Sequence, residues 1–359
     1  MKLKNIWFQS WIWKKLVLYK QNEFLNDLHK QIASSVIIFL IPSEDKVNGG
    51  ILSIVSLAEE TGKLKHIHSS DVFVCSLPGE PSLFRFTKFE NSVRIIELNN
   101  ILSRLKEGSS VLIHIPEIFV DKYSAYIESV TSDYSSFKWS FNILLQNIDL
   151  LPRKKSVDIL SDIGNVTCTT AHLAYSGNST ESRLGCPVYH FSVWCSPEGY
   201  YYKPFEEKEN FIIVSPDKHP RREEVINYLK DNMPDYDFKV IRKLTYEEYK
   251  KLISCAKYSI TFGEGLDGYF IENIFSGGIG SSVYNDRFFT DEFVDLPFVY
   301  SSWNDFMERF PKDAESSNCS EQYKKIHQQQ YNILSSMYSH EKYVQNLTKY
   351  YYIYKDSLR

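Results

Sequence analysis

At 359 residues with 43% hydrophobic content, the chain is long for one core and too apolar for disorder, so two domains are expected. A formal net charge of −4 gives no electrostatic footing for nucleic acid as the main partner. Six cysteines show no CxxC spacing; several lie in apolar runs and read as small buried hydrophobes, which fits a reducing cytoplasm.

No apolar stretch reaches the roughly 18 residues of a membrane-spanning helix. Residues Ile6 to Tyr19 mix Trp7, Phe8, Trp11, Trp13, Leu16 and Leu18 with Lys14 and Lys15, flanked by Lys4 and Lys20. An apolar core followed by a small-residue cleavage site is missing, so this is not a signal peptide. The segment reads as an amphipathic helix lying on a membrane surface or as a helix packed on the first domain.

Ser35 to Ile41 (SVIIFLI) is a buried strand, and Gly50 to Thr61 a helix with Ile51, Ile54, Val55 and Leu57 on its apolar side. Between them, Gly49 and Gly50 allow close approach of a ligand, and the helix start behind them favours an anion. No G-x-G-x-x-G is present, so there is no basis for a dinucleotide site. Strands follow over Asp71 to Leu77, Val93 to Leu98, Val111 to Ile115, Phe141 to Leu145 and Val166 to Thr169, with a helix over Phe119 to Val130. His114 and His172 fall at carboxyl ends of such strands, where open α/β sheets collect ligands. Each reads as a histidine that could hydrogen-bond a ligand there, or as a satisfied structural one. No carboxylate or cysteine spacing turns them into a metal site.

From Cys195 to Asn210 the composition shifts from apolar to turn-forming and charged, which marks a domain boundary. The expected divisions are 1–198, 199–320 and a helical segment over 321–359. In the second half, strands are expected over Phe211 to Val214, Phe238 to Ile241, Tyr258 to Phe262, Ser281 to Tyr284 and Phe298 to Tyr300. Helices are expected over Arg221 to Asn232 and Thr245 to Ala256, the latter with Thr245 as N-cap and Glu248 three residues on. After the first of these strands, Lys218, Arg221 or Arg222 offers positive charge to a phosphate, or simply opens a solvated helix. Gln322 to about Tyr350 forms one or two long helices, and the aromatic run from Tyr350 to Tyr354 packs against the first domain. Continuous apolar strands separated by helices make both halves doubly wound α/β domains with parallel sheets.

Seven residues separate Glu264 from Glu272. A Gly263-Glu264-Gly265 turn follows an apolar strand, and Asp267-Gly268 opens a short helix carrying Glu272. Unpaired N–H groups at that helix start suit a phosphate. If wholly helical, the offset spans at most about 12 Å, the scale of a nucleotide sugar. The bland alternative is a solvated charge pair flanking a core helix.

This segment, with Ser276-Gly277-Gly278 after it, resembles the C-terminal signature of retaining GT-B glycosyltransferases of the group 1 (family 4) class, which carries Glu-x7-Glu. The Gly49-Gly50 loop and Thr170-Ala171-His172 resemble two further elements of that class. The class's Gly-Arg turn is missing after Val214, which leaves the donor undefined. The resemblance implies two Rossmann-like domains facing a cleft, with a C-terminal helix crossing back to the first. It implies transfer of a sugar, with retention, from a nucleotide sugar to a glycan or lipid-linked glycan. No cofactor or metal is required, and the setting is bacterial surface polysaccharide (O-antigen or capsule) synthesis in the cytoplasm or peripherally at the inner membrane face. His172 and Glu264 would serve catalysis. Gly49, Gly50, His114, Lys218, Arg221, Gly265 and Glu272 would hold substrate. The rivals are another GT-B enzyme, such as a sugar-nucleotide epimerase or an inverting transferase, and a non-catalytic sugar-binding subunit.

Overall fold

The computed structural model describes residues 2–28, 34–79, 83–192, 195 and 197–357, and at 2–10 the backbone alone. The Lys4, Trp7 and Phe8 side chains invoked above therefore lie outside the described residues. Two compact units result, Met1–Val193 with Val344–Arg359, and Trp194–Tyr343.

The first unit is built on seven parallel strands: β1 (Ser35–Ile41), β2 (Asp71–Ser76), β3 (Ile95–Glu97), β4 (Ser110–Pro116), β5 (Lys138–Leu145), β6 (Asn165–Thr170) and β7 (Val188–His190), in the order β3-β2-β1-β4-β5-β6-β7. Val36 to Ile41 are buried without a polar interruption, as a central strand covered on both faces requires. The order reverses between β1 and β4, which places the loop after Ile41 and the helix start at Glu117 at the switch point. β7 was not legible in sequence, being three residues long and only partly buried.

Two helices complete this unit. Helix Lys2–Leu28 docks through Val17, Gln21 and Leu25. The Gln21 amide donates to Ile95 O (3.1 Å) and accepts from Glu97 N (3.3 Å), so a side chain satisfies the edge strand β3. From Val344 onward, helix His340–Ser357 belongs here too. Tyr351 and Tyr350 reach Thr61 Oγ1 (2.9 Å) and Thr167 Oγ1 (3.0 Å) through their hydroxyls. Helix Ser320–Met337, by contrast, belongs to the second unit, where Tyr323 and Ile326 join the core and Gln330 bonds both the N–H and the C=O of Gly280. The segment 321–359 is thus divided rather than single.

The second unit has five parallel strands: β8 (Glu209–Val214), β9 (Asp237–Val240), β10 (Ala256–Ile260), β11 (Ile279–Val283) and β12 (Val299–Tyr300), in the order β12-β11-β10-β8-β9. Its switch point lies between β8 and β10. The capping box of Thr245 and Glu248 forms at helix Tyr246–Cys255. β10 lies two residues earlier than the apolar pattern suggests, because Phe262 N turns to the Ser215 hydroxyl and opens the turn that follows. Helix Trp303–Ser316, with Pro311 inside it, closes one face through Phe306 and Phe310.

Candidate active site

In the second unit, the loops leaving β8 and β10 meet at the switch point. Ser215 Oγ accepts from Phe262 N (3.0 Å) and ties the two together. Asp267 is the N-cap of helix Gly268–Phe275, accepting from Tyr269 N (2.9 Å) and Phe270 N (3.2 Å) on Oδ1, while Oδ2 takes the Thr261 hydroxyl. The N–H groups expected to await a phosphate are therefore engaged by the protein's own carboxylate. A β-carbon on Gly263 would lie 3.0 Å from Asp217 Oδ2 and 3.2 Å from Asp267 Oδ2, so the two carboxyls converge where only glycine leaves room. Burial, then the negative Asp217 and Glu264, push the Asp267 carboxyl up to about 7, against the hydrogen bonds from Thr261 and Phe270.

The basic residues do not offset this. Arg221 is engaged in a two-point pair with Glu224 (2.8 and 2.6 Å), and Arg222 is buried, paired with Glu223 (2.8 Å). Lys218 is exposed beside them. The local field at the end of β8 is more acidic than the sequence suggested, because the convergence of Asp217 and Asp267 depends on folding.

Glu264 and Glu272 occupy different surroundings. Glu264, partly buried, lines a cavity of about 500 Å³ with Phe262, His219, Tyr284, Asp286 and Trp303. Phe262 and Trp303 stack at 4.6 Å to form one wall. Gly265 has φ of 91°, and a β-carbon there would come within 2.5 Å of the Phe289 ring; it shapes the turn that presents Glu264. Glu272 is not a solvated charge. Its Oε1 accepts from the Tyr200 hydroxyl (2.9 Å) and the Tyr246 hydroxyl (3.2 Å), which lie 3.0 Å from each other. Burial raises its pKa, and hydrogen bonds from tyrosines oppose the shift. Sequence reasoning missed Tyr200 and Tyr246; the tyrosine run after Gly199 was the available signal.

In the first unit, Asn48 caps helix Gly49–Lys63 by accepting from Ile51 N (3.0 Å). A β-carbon on Gly49 would meet open space, whereas one on Gly50 would press on Gln146 Oε1 at 2.8 Å. Glu117, at the end of β4, accepts from Asn147 N (3.0 Å). Gln146, Asn147 and Glu117 thus join the glycine loop at the carboxyl edge of the sheet, unforeseen because two further segments, after β4 and after β5, supply them. His172, just past β6, is buried at the same edge, its backbone N–H donating to Thr170 Oγ1 (3.2 Å) and its ring edge-on to Tyr175 at 5.3 Å.

His114 needs correction. It lies within β4, fully buried, stacked on Phe39 at 4.2 Å. Nδ1 bonds Asn142 Oδ1 (2.9 Å) and Nε2 accepts from the Tyr351 hydroxyl (3.2 Å). Both ring nitrogens are used, and burial lowers its pKa to about 3. It is a structural histidine with no surface to offer a substrate. Among the described residues no group of three or more His, Cys, Asp or Glu side chains is arranged to hold a metal ion.

Two doubly wound parallel units, with the chain returning to the first, are the GT-B architecture. Solved structures with this fold include HepE from Anabaena in complex with UDP and glucose (TM-score 0.58, 8% identity, 88% of this chain and 98% of that one). A trehalose-6-phosphate synthase (TM-score 0.57, 8%, 89% and 99%) and the lipopolysaccharide outer core galactosyltransferase WaaB (TM-score 0.53, 10%, 87% and 98%) are similar in the same way. At identities this low, the likeness establishes the fold alone. No family model matches the chain, and no curated protein matches it by sequence.

Proposed function

We propose that the protein is a glycosyltransferase that moves a sugar from a nucleotide-sugar donor to a glycan or lipid-linked glycan with retention of configuration. The observation that carries this is the placement of Glu264 and Glu272 on a strand-to-helix junction at the switch point of the second sheet of a GT-B chain. Supporting it, Glu264 lines a cavity of about 500 Å³ with an aromatic wall. HepE, of the same fold, was solved with UDP and glucose, and the trehalose-6-phosphate synthase is described as transferring with retention.

In this reading the bond between the anomeric carbon and the diphosphate oxygen breaks, the acceptor hydroxyl oxygen bonds that carbon, and the hydroxyl proton is released. Glu264 accepts hydrogen bonds from the donor sugar, and Glu272 from the ribose in exchange for a tyrosine hydroxyl. Lys218 meets the diphosphate, joined by Arg221 once it leaves Glu224; their exposed pair is weakly held. His172 and the Gly49-Gly50 loop serve the acceptor side. Neither glutamate is an evident nucleophile, so no covalent glycosyl-enzyme is invoked. A role in bacterial surface polysaccharide synthesis accords with the lipopolysaccharide activity of WaaB.

One feature favours a second reading, a sugar-nucleotide-binding subunit without turnover: the Asp217–Asp267 pair and the self-capped helix replace the expected phosphate cradle. Incubation with UDP-sugars and a broad acceptor panel separates the two. Release of UDP that depends on both acceptor and Glu264 supports the transferase. Tight nucleotide binding with no release across the panel supports the subunit.

A further inference from the structure

We propose that the solvent-facing side of helix Lys2–Leu28 over residues 12–20 is a docking surface for an anionic phospholipid bilayer. The helix has two apolar sides. Val17, Gln21 and Leu25 fix one side to the first unit, with relative exposures of 2% or less. The other side faces solvent: Ile12 is 47% exposed, Trp13 54%, Leu16 43% and Tyr19 64%. At about 100° per residue, these four fall within roughly one third of the circumference, and the three anchoring residues fall outside it. The exposed side is therefore not an extension of the core-packing side. It is a second stripe, held rigidly outward by the first.

Charge decides the occupant. Lys15 borders the stripe and Lys20 falls within it, both exposed, while Lys14, also exposed, falls on the anchoring side. No acidic residue precedes Glu23, while Lys2, Lys4, Lys14, Lys15 and Lys20 do. A protein partner or a second copy is recognised through charges of both signs, whereas a run with lysine alone matches the negative surface of an anionic leaflet. Trp13 and Tyr19 combine an apolar body with a polar tip, the chemistry of the headgroup boundary. Trp11 lies at the flank with Lys15 Nζ 4.0 Å above its ring, so this lysine already covers an aromatic face while its charge stays in water. No helix among the described residues is long and apolar enough to cross a membrane, which makes the contact interfacial.

The test uses the full chain with vesicles of phosphatidylcholine alone and of phosphatidylcholine with phosphatidylglycerol, read by flotation and by tryptophan emission. Binding is expected to the mixed vesicles, with a blue shift, and not to the neutral ones. Replacing Lys15 and Lys20 by Gln should weaken partition by roughly twenty-fivefold, about fivefold for each lysine. The triple variant Ile12→Ser, Trp13→Ser, Leu16→Ser should abolish binding with an unchanged melting temperature, since these side chains are exposed. Absence of binding to either vesicle, or binding that both variants retain, overturns the proposal. So does a concentration-dependent dimer that the serine variant disperses, which would assign the stripe to a second copy.

Discussion

Asp267→Asn probes the switch point of the second sheet most sharply. The asparagine side chain keeps an oxygen for Tyr269 N and Phe270 N, so the cap geometry survives while the titrating group is removed. The native carboxyl holds its proton up to about 7, against an ordinary value of 3.8. The folded state therefore binds a proton that the unfolded state has already lost, so this stabilisation is present at acid pH and disappears as pH rises through about 7. Between pH 5 and pH 8 the loss amounts to at most about 2 to 3 kcal/mol, or roughly 5 to 10 °C in melting temperature for a domain of this size. Partial exposure of the residue makes that an upper figure. The assay is thermal unfolding of both proteins from pH 5 to pH 8. The wild type should lose stability relative to Asp267→Asn across that range, and the variant should bind a nucleoside diphosphate more tightly at pH 8, where the wild-type carboxylate repels it. Parallel melting curves would refute the raised Asp267 carboxyl and the burial that causes it.

Three further outcomes are expected. Glu264→Gln should lower transfer by roughly two to three powers of ten while leaving nucleotide binding close to wild type, as separate kinetic and titration measurements would reveal. Gly265→Ala should destabilise the second unit by about 2 to 4 kcal/mol in denaturant unfolding, because φ is positive there and the added carbon meets Phe289. His114, whose folded pKa is depressed from 6.5 to about 3, contributes stability that is complete above about 6.5 and drains away as pH falls toward 3. His114→Leu should flatten that acid slope without changing substrate affinity; an unchanged slope, or a loss of affinity alone, would contradict its structural role.

Much of the scaffold was legible because its strands are unbroken apolar runs. β1 appears with the bounds its sequence suggests, and Thr245 with Glu248 announces a helix start that forms. Chemistry fared less evenly. The Glu264–Glu272 spacing and its glycines were visible as local pattern. Their surroundings were not, since Tyr200, Tyr246 and Asp217 come from segments far apart in sequence. His114 misled for the converse reason: a histidine near a strand end looks the same in sequence whether its ring faces solvent or stacks on Phe39. The fate of Arg221 was set by Glu224 one helical turn on, a competitor that a motif comparison overlooks.

The central claim is that the Glu264–Glu272 junction grips a nucleotide sugar. Ligand-induced stabilisation across a panel of nucleoside diphosphates and their sugars tests it most directly, with the wild type set against Glu264→Gln. A cognate ligand at about 100 times its dissociation constant should stabilise the wild type by roughly 2.7 kcal/mol, with the sugar adding to the shift in the wild type and not in the variant. Equal shifts in both proteins with the nucleotide sugar, or none for any nucleotide, would contradict the account.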